Sequence, residues 1–159
     1  IQPEAAERLS KREYLDLRGL TSLSDATAEI LSKHKGEIYL SGLTSLSDDA
    51  AESLSKHKGE IDLSGLTALS DAAAKRLCKH EAGLHLRGLT SLSDGPGHIA
   101  LAESLSKHEG YLVLNDLTDL SDAAARSLAN KEPKFDSWQI ELENLPASAA
   151  KILRDAGHG

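Results

Sequence analysis

The sequence predicts an α/β fold, a right-handed solenoid of stacked repeats bent into a horseshoe arc. A unit of 23 residues recurs in tandem, as the segments that start at Ile38 and Ile61 show, and tandem repeats of this length are typical of solenoids. Each unit begins with alternating apolar and polar residues, which indicates a strand, and continues with an apolar helical face. One unit has too few large apolar side chains to bury them alone, so the units must stack.

The unit that starts at Ile38 shows the expected order of elements. Ile38–Leu40 alternates as a strand, and Leu43–Leu46 turns a corner with both leucines inward. Ser47–Asp48 predicts a helix start, because side-chain oxygens there accept from the free N–H groups of the first turn. Lys56–Lys58 places cations at the helix C-terminus, and Gly59 is expected in the left-handed conformation that ends many helices.

Repeating this order along the chain gives the predicted elements. Strands are expected near Tyr14–Leu17, Ile38–Leu40, Ile61–Leu63, Leu84–Leu86, Leu112–Leu114 and Gln139–Leu142. Helices are expected near Pro3–Lys11, Asp25–His34, Asp48–His57, Asp71–His80, Ile99–His108, Asp122–Asn130 and Pro146–Asp155. The chain is then one domain, residues 1–159, with an N-terminal capping helix (1–13), five repeats (14–138) and a C-terminal capping strand and helix (139–159).

The geometry of stacked units predicts the side of the arc that each layer occupies. A helix that connects two parallel strands crosses over in the right-handed sense. Strands lie about 4.8 Å apart, whereas packed helices need roughly 8–10 Å. The parallel sheet must therefore line the concave face and the helices the convex face.

The repeated pattern Leu/Ile-x-Leu-x-x-Leu-x-x-Leu resembles the leucine-rich repeat. The chain departs from that consensus, because leucine stands where asparagine or cysteine is usual, at Leu20, Leu43, Leu66, Leu89 and Leu117. The run Leu-Thr-Ser-Leu-Ser-Asp-x-Ala-Ala is more similar to the Val-Thr-Ser-Ile-Gly-Asp-x-Ala-Phe pattern of bacterial 23-residue repeats. This resemblance covers nearly the whole chain and implies a binding scaffold, and it carries over no catalytic residues.

Composition argues against several classes of function. The chain has 18 basic and 25 acidic residues, a formal net charge of −7, which disfavours general binding of nucleic acid or anionic membranes. No apolar run approaches the length of a transmembrane helix, so no membrane insertion is expected. The single cysteine, Cys78, rules out an internal disulfide or a cysteine-based zinc site. It stands where other units have Ser32, Ser55 and Ser106, so we interpret it as a small helix residue rather than a catalytic thiol.

Two residue types recur in register and are candidate metal ligands. One set is His34, His57, His80 and His108, and the other is Asp25, Asp48, Asp71, Asp94 and Asp122. We interpret the histidines as cations at helix C-termini and the aspartates as helix caps. A separation of roughly 10 Å between helices is too long for two imidazoles to share one metal ion at about 2 Å each. The sequence therefore predicts no metal, no cofactor and no catalytic residue.

Two units exceed the period by five residues each. The fourth contains Gly95–Ile99, which we interpret as an inserted turn between corner and helix, because it lacks the Lys-Ser/Thr end of a phosphate loop. The fifth contains Glu132–Trp138, which includes the only Phe and the only Trp of the chain. Phe135 and Trp138 are expected to cover the open edge of the last unit rather than to stack on a ligand.

The outward strand positions vary between units, whereas helix and corner residues are nearly copied. One column contains Asp16, Tyr39, Asp62, His85, Val113 and Glu141; the next contains Arg18, Ser41, Ser64, Arg87, Asn115 and Glu143; the third contains Tyr14, Glu37, Glu60, Gly83, Tyr111 and Gln139. Variation on a constant scaffold is expected of a recognition surface, and equally of an unconstrained solvent-exposed face.

The leading hypothesis is a non-enzymatic scaffold that binds a protein partner through its concave face. Tyr and Arg often contribute binding energy at such surfaces, and the predicted contact residues are Tyr14, Arg18, Tyr39, Asp62, His85 and Arg87. Two alternatives stay open: a structural spacer or array segment with no ligand of its own, and a consensus-like designed repeat protein. An enzyme is disfavoured, because helix caps and helix dipoles already explain the candidate acids and bases.

Overall fold

The computed structural model describes residues 2, 4, 5, 8, 11–107, 112–130 and 138–158. This part of the chain is an α/β protein with a parallel sheet and helices, as the sequence predicts. Most of the predicted helix Pro3–Lys11 and nearly all of the inserted segment Glu132–Trp138 lie outside the described residues. The sheet has the order β1-β2-β3-β4, with β1 (Tyr14–Asp16), β2 (Glu37–Tyr39), β3 (Ile61–Asp62) and β4 (Leu84–His85).

Each strand of this sheet pairs with its neighbour at a constant offset of 23 residues. Leu15 lies opposite Ile38, Ile38 opposite Ile61, and Ile61 opposite Leu84. Equivalent positions of successive units therefore align across the sheet. A slip of one residue would turn this apolar row to the other face, so burial of the row maintains the register.

The helices follow the strands as predicted, but the first three end two or three residues early. They are α1 (Asp25–Leu31), α2 (Asp48–Ser55), α3 (Asp71–Leu77), α4 (Pro96–Lys107), α5 (Asp122–Ala129) and α6 (Ala147–Asp155), and each packs against the next. After α1, α2 and α3, the backbone N–H of His34, His57 and His80 donates to the carbonyl three residues back. A tighter turn therefore replaces the last α-helical turn that the sequence predicts.

The serine before the predicted aspartate caps the helix in four of the five units. Ser47 Oγ accepts from the backbone N–H of Ala50 at 3.0 Å, and the same bond forms at Ser24, Ser70 and Ser121. The aspartate is instead the first helical residue and links neighbouring units. Ser70 Oγ donates to Oδ1 of Asp48 in the preceding unit at 2.6 Å, and Ser47 donates to Asp25 in the same way.

The inserted segment Gly95–Ile99 is not a turn between corner and helix, so this prediction was wrong. Its residues from Pro96 onward form the first turn of α4, which has 12 residues where α2 has 8. Proline suits the first helical position because it lacks the N–H that would be left free there. Oδ1 of Asp71, in the preceding unit, accepts from the backbone N–H groups of Gly97 (2.8 Å) and His98 (3.0 Å). The start of α4 is therefore capped by the neighbouring unit, and Asp94 lies outside the helix.

His98 joins this longer helix to Ser93 and to Leu69 of the preceding unit. Its side chain is buried, and Nδ1 accepts from the backbone N–H of Ser93 at 2.9 Å. Nε2 lies 2.8 Å from the carbonyl oxygen of Leu69 and therefore carries the proton that it donates to that oxygen.

Two further parallel pairs lie in the second half of the described chain. The sequence did not predict the pairing of β5 (Ser91–Leu92) with β7 (Asp119–Leu120), which joins the corners of the fourth and fifth units. The other pair joins β6 (Leu112–Val113) to β8 (Trp138–Gln139).

The register of β8 corrects the assignment of the last unit. Val113 lies opposite Gln139 and not opposite Glu141. Ile140 and Glu141 separate the strand from the 3₁₀ turn Leu142–Asn144, in which the N–H of Leu145 bonds to the carbonyl of Leu142. In the second unit the equivalent turn follows the strand at once. These two extra residues remove Glu141 from the predicted column.

Leucine and alanine, together with Ile38 and Ile61, form the core. Leu43, Leu66, Leu89 and Leu117, which stand where the leucine-rich repeat usually has a polar residue, are all fully buried. Leu46 is only partly buried, so its predicted inward direction holds in part.

Gly59 is required for a reason other than the predicted left-handed conformation. Among the glycines of the described residues, the one with a positive φ is Gly157. A Cβ on Gly59 would instead lie 2.3 Å from the carbonyl oxygen of Gly36 in the preceding unit. The close approach of successive units therefore excludes a side chain at this position.

Candidate interaction surface

The strands present one face that is exposed at Tyr14, Asp16 and His85 and half-buried at Tyr39 and Asp62, and we call these five residues the open sheet face. These side chains alternate with the buried row of Leu15, Ile38, Ile61 and Leu84, as the period of two in a strand requires. Tyr14 is 58% exposed and is the one exposed large apolar side chain in the described part of the chain. The sequence therefore identified this face correctly from the alternation alone.

At the β1 end of the open sheet face, two tyrosines and an arginine form one cluster. The rings of Tyr14 and Tyr39 meet edge to face, with centroids 6.3 Å apart and planes at 74°. The guanidinium carbon of Arg18 lies 5.8 Å from the centroid of the Tyr39 ring. Both arrangements are favoured by the negative face of an aromatic ring. Tyr39 is thus held between two side chains of the neighbouring unit.

Two carboxylates fix the polar groups of this cluster. Arg18 donates to Asp16 through Nε at 2.9 Å and Nη2 at 2.5 Å, and this bidentate bond lowers the pKa of Asp16 to about 2. The hydroxyl of Tyr39 donates to Glu37, and this hydrogen bond to a carboxylate raises the pKa of Tyr39. At neutral pH the cluster therefore contains an ionised aspartate, a paired arginine and an un-ionised phenol.

A shallow depression of 310 Å³ lies beside the cluster. It is lined by Tyr39, Asp62, Ser64, Leu84, His85, Arg87, Val113 and Gln139. Asp62 Oδ1 accepts from the backbone N–H of Ser64 at 2.9 Å, and His85 Nε2 lies 3.4 Å from Glu60 Oε2. Arg87 is exposed and forms no ion pair with the described residues. Its guanidinium remains available to a carboxylate from outside the chain.

The structure brings the six predicted contact residues onto one side of the sheet, in two groups. Tyr39, Asp62, His85 and Arg87 line the depression, whereas Tyr14 and Arg18 contact Tyr39 from the β1 side. The sequence prediction did not select Ser64, Leu84, Val113 or Gln139 as contacts. Ser64 and Val113 belong to the variable columns of the sequence, so the same reasoning could have selected them. Leu84 points inward by the strand period, whereas Gln139, a member of the third variable column, joins the depression through the altered register of β8.

A second cluster lies where the helices turn back toward the strands, and we call it the histidine stack: His34, His57 and His80. The rings are parallel to within 3°, with centroids 6.1 Å apart for His34 and His57 and 6.3 Å apart for His57 and His80. Their exposed fractions are 2%, 1% and 7%. His108, the fourth histidine of the predicted set, lies outside the described residues.

The histidine stack corrects the expectation of surface cations at helix ends. Burial lowers the pKa of His57 and thereby favours its neutral form. His57 Nε2 lies 2.9 Å from the carbonyl oxygen of Gly36, in the preceding unit. The ring spacing is also shorter than the roughly 10 Å expected from helix packing. The ring of His57 therefore joins two units through its stacking and its hydrogen bond, whereas a cation at a helix end would face solvent.

Cys78 occupies the position of its serine counterparts. Its Sγ lies 3.0 Å from the carbonyl of Lys75, as Ser55 Oγ donates to the carbonyl of Glu52 at 2.7 Å. Burial raises the pKa of the Cys78 thiol, which disfavours the reactive thiolate. Within the described residues, no three His, Cys, Asp or Glu side chains converge as metal ligands would.

Comparison with models of protein families, with curated proteins and with solved structures found no match for this chain. No helix among the described residues is long and apolar enough to cross a membrane.

Proposed function

We propose that this chain is a non-enzymatic scaffold that binds a protein partner through the open sheet face. The depression beside Tyr39 is the observation that supports this proposal most, because four of the six predicted contact residues line it. Tyr14, exposed at its edge, offers a partner an apolar anchor with a polar tip. Tyrosine and arginine are the residue types enriched among side chains that dominate binding energy.

The internal contacts of the tyrosine cluster support the proposal on energetic grounds. Tyr39 is already held by Tyr14, Arg18 and Glu37 in the free protein. A side chain that is ordered before binding loses less entropy when the partner arrives. Arg18 is occupied by Asp16, whereas Arg87 is free of ion pairs with described residues. Arg87 is therefore the cation that would meet a carboxylate of the partner.

We infer that the units continue as a right-handed solenoid of the leucine-rich-repeat type, with the open sheet face on the concave side. The constant 23-residue register from β1 to β4 and the packing of each helix on the next support this inference. Strand spacing is about half of helix spacing, so a continued stack would curve toward its sheet. A partner would then contact several units at once.

The same proposal includes no enzyme activity, no metal, no cofactor and no nucleic-acid partner. The net charge of −7 disfavours a polyphosphate backbone. The carbonyl contact and raised pKa of Cys78 suit a structural thiol. The near-identical helices would equally suit a structural spacer, which is the outcome if no partner is found.

A paired comparison tests the open sheet face. Wild-type protein, a Tyr39→Ala/Arg87→Ala variant and a Glu29→Ala/Lys33→Ala variant are immobilised and incubated with extract from cells that make the protein. The control pair removes an exposed ion pair of α1 whose nitrogen and oxygen lie 3.8 Å apart, so the fold is preserved.

We expect mass spectrometry to show a partner that binds the wild type and the helix variant but is lost from the sheet variant. Truncating two contact residues that each contribute about 2 kcal/mol would weaken binding by roughly a thousandfold if the effects add. Loss of the partner from the helix variant alone would contradict the assignment to the sheet. No specific partner for any of the three would favour the spacer.

A further inference from the structure

The histidine stack closes the junction between the helix ends and the strands in the first three units. A Cβ on Gly36 would lie 3.0 Å from His34 Nε2, and one on Gly59 would lie 2.9 Å from His57 Nε2. The imidazoles therefore fill the space that the glycines leave. Because the ring of His57 also lies 2.9 Å from the Gly36 carbonyl oxygen, moving it would loosen two units together.

The groove beside His80 has slightly more positive than negative groups in its lining. This groove of 810 Å³ runs along the junction and includes His80 in its wall. The charged groups that line it are Lys35, Glu37, Lys58, Glu60, Lys79, Glu81 and Lys107. Lys58 Nζ lies 3.5 Å from Glu81 Oε2, so the Glu81 carboxylate is already paired with a lysine. Four lysines against three glutamates give the groove a small excess of positive charge, which mildly disfavours a further cation there.

We propose that the histidine stack holds the first three units together at neutral pH and that acid disrupts this contact. Once protonated, the rings would carry like charges about 6 Å apart in the interior. Repulsion and the demand of each imidazolium for water separate the rings. The junction then opens along the 810 Å³ groove, while the leucine core beneath the sheet remains packed.

The direction of the pH effect follows from the position of His57. Burial lowers the pKa of this imidazole in the folded chain, so the unfolded chain binds the proton more readily. The stabilisation is therefore complete above about pH 6.5 and is lost as the pH falls from there toward the folded-state pKa. For one histidine that stays neutral in the folded state, the unfolding constant rises by up to about tenfold for each pH unit.

Urea denaturation at pH 7.5 and pH 5.5 tests this proposal with matched variants. In His57→Gln the amide can still donate to Gly36 but cannot be protonated, so we expect a smaller acid loss of stability than in the wild type. His85→Gln is the control, because His85 is an exposed histidine of the open sheet face. The buried His98 and His158 are present in all three proteins, so their contributions cancel.

We expect the wild type and the His85→Gln variant to lose stability in parallel between the two pH values. The unfolding constant of His57→Gln should rise less than theirs, by a difference of up to about tenfold for each pH unit. An equal loss in all three proteins would overturn the proposal.

Imidazole NMR of the wild type gives a second test that does not depend on the folding of a variant. We expect contacts between the His34, His57 and His80 rings at pH 7.5 and their loss as the pH is lowered, before the methyl signals of core leucines lose their dispersion. Ring contacts that persist until the leucine dispersion is lost would overturn the proposal, because both losses would then report global unfolding.

Discussion

Replacing Leu66 with alanine is the most direct perturbation of the core. Leu66 is fully buried in the third unit. The substitution removes three carbon atoms, which costs about 2.4 kcal/mol at about 0.8 kcal/mol for each buried methylene. The cavity left behind adds to this, so we expect a loss of about 3–4 kcal/mol, within the range of about 2–5 kcal/mol for buried leucines.

Urea denaturation followed by far-ultraviolet circular dichroism measures this loss. Leu46→Ala is the matched control, because it makes the same chemical change at a leucine that is only partly buried, and we expect it to cost about 1–2 kcal/mol. The urea dependence of the unfolding free energy should stay the same in both variants. A Leu66→Ala variant that is no less stable than Leu46→Ala would refute the assignment of Leu66 to the core.

Three further predictions concern the inserted helix turn and the absence of a metal requirement. Asp71→Ala removes the acceptor for Gly97 and His98 and should cost about 1–2 kcal/mol in thermal or urea unfolding. Asp48→Ala loses only a serine contact and should cost less, so an equal loss would contradict the capping role. Deleting Gly95–Ile99 joins Asp94 directly to Ala100. The protein should still fold but with a lower melting temperature, because the hydrogen bonds of His98 are lost. Failure to fold would show that the insertion cannot be removed. Adding a chelator should leave the melting curve unchanged. A drop in melting temperature would indicate that the recurring histidines or aspartates bind a metal ion.

The sequence predicted the elements well because each depends on local chemistry. Strand positions followed from the alternation at Ile38–Leu40, and helix starts followed from Ser47–Asp48. The serine rather than the aspartate proved to be the cap, and both residues have suitable oxygens, so the sequence did not distinguish them. The aspartate contacts Ser70 of the next unit, a relation that only the stacked structure contains.

The features that sequence reasoning missed depend on contacts between units. The pattern of His57 beside lysines suggests a surface cation, and its burial follows only from the tight turn that ends α2. The role of Gly95–Ile99 in the helix was missed because its partner, Asp71, is far away in the sequence. The exposed residues of the open sheet face were found because a period of two is sufficient to identify them.

Removing one complete unit tests the central claim, that the chain is a row of equivalent units. Deleting Ile38–Glu60, which is 23 residues, would place β3 beside β1 with Ile61 opposite Leu15, and α3 against α1. In a stack where each unit contacts only its neighbours, this protein should unfold cooperatively in urea, with lower stability and less helical signal by the share of α2. Deleting Ile38–Asp48 instead leaves α2 without its strand and should abolish folding. If both deletions prevent folding, the units are not equivalent and the account of a repeat scaffold is contradicted.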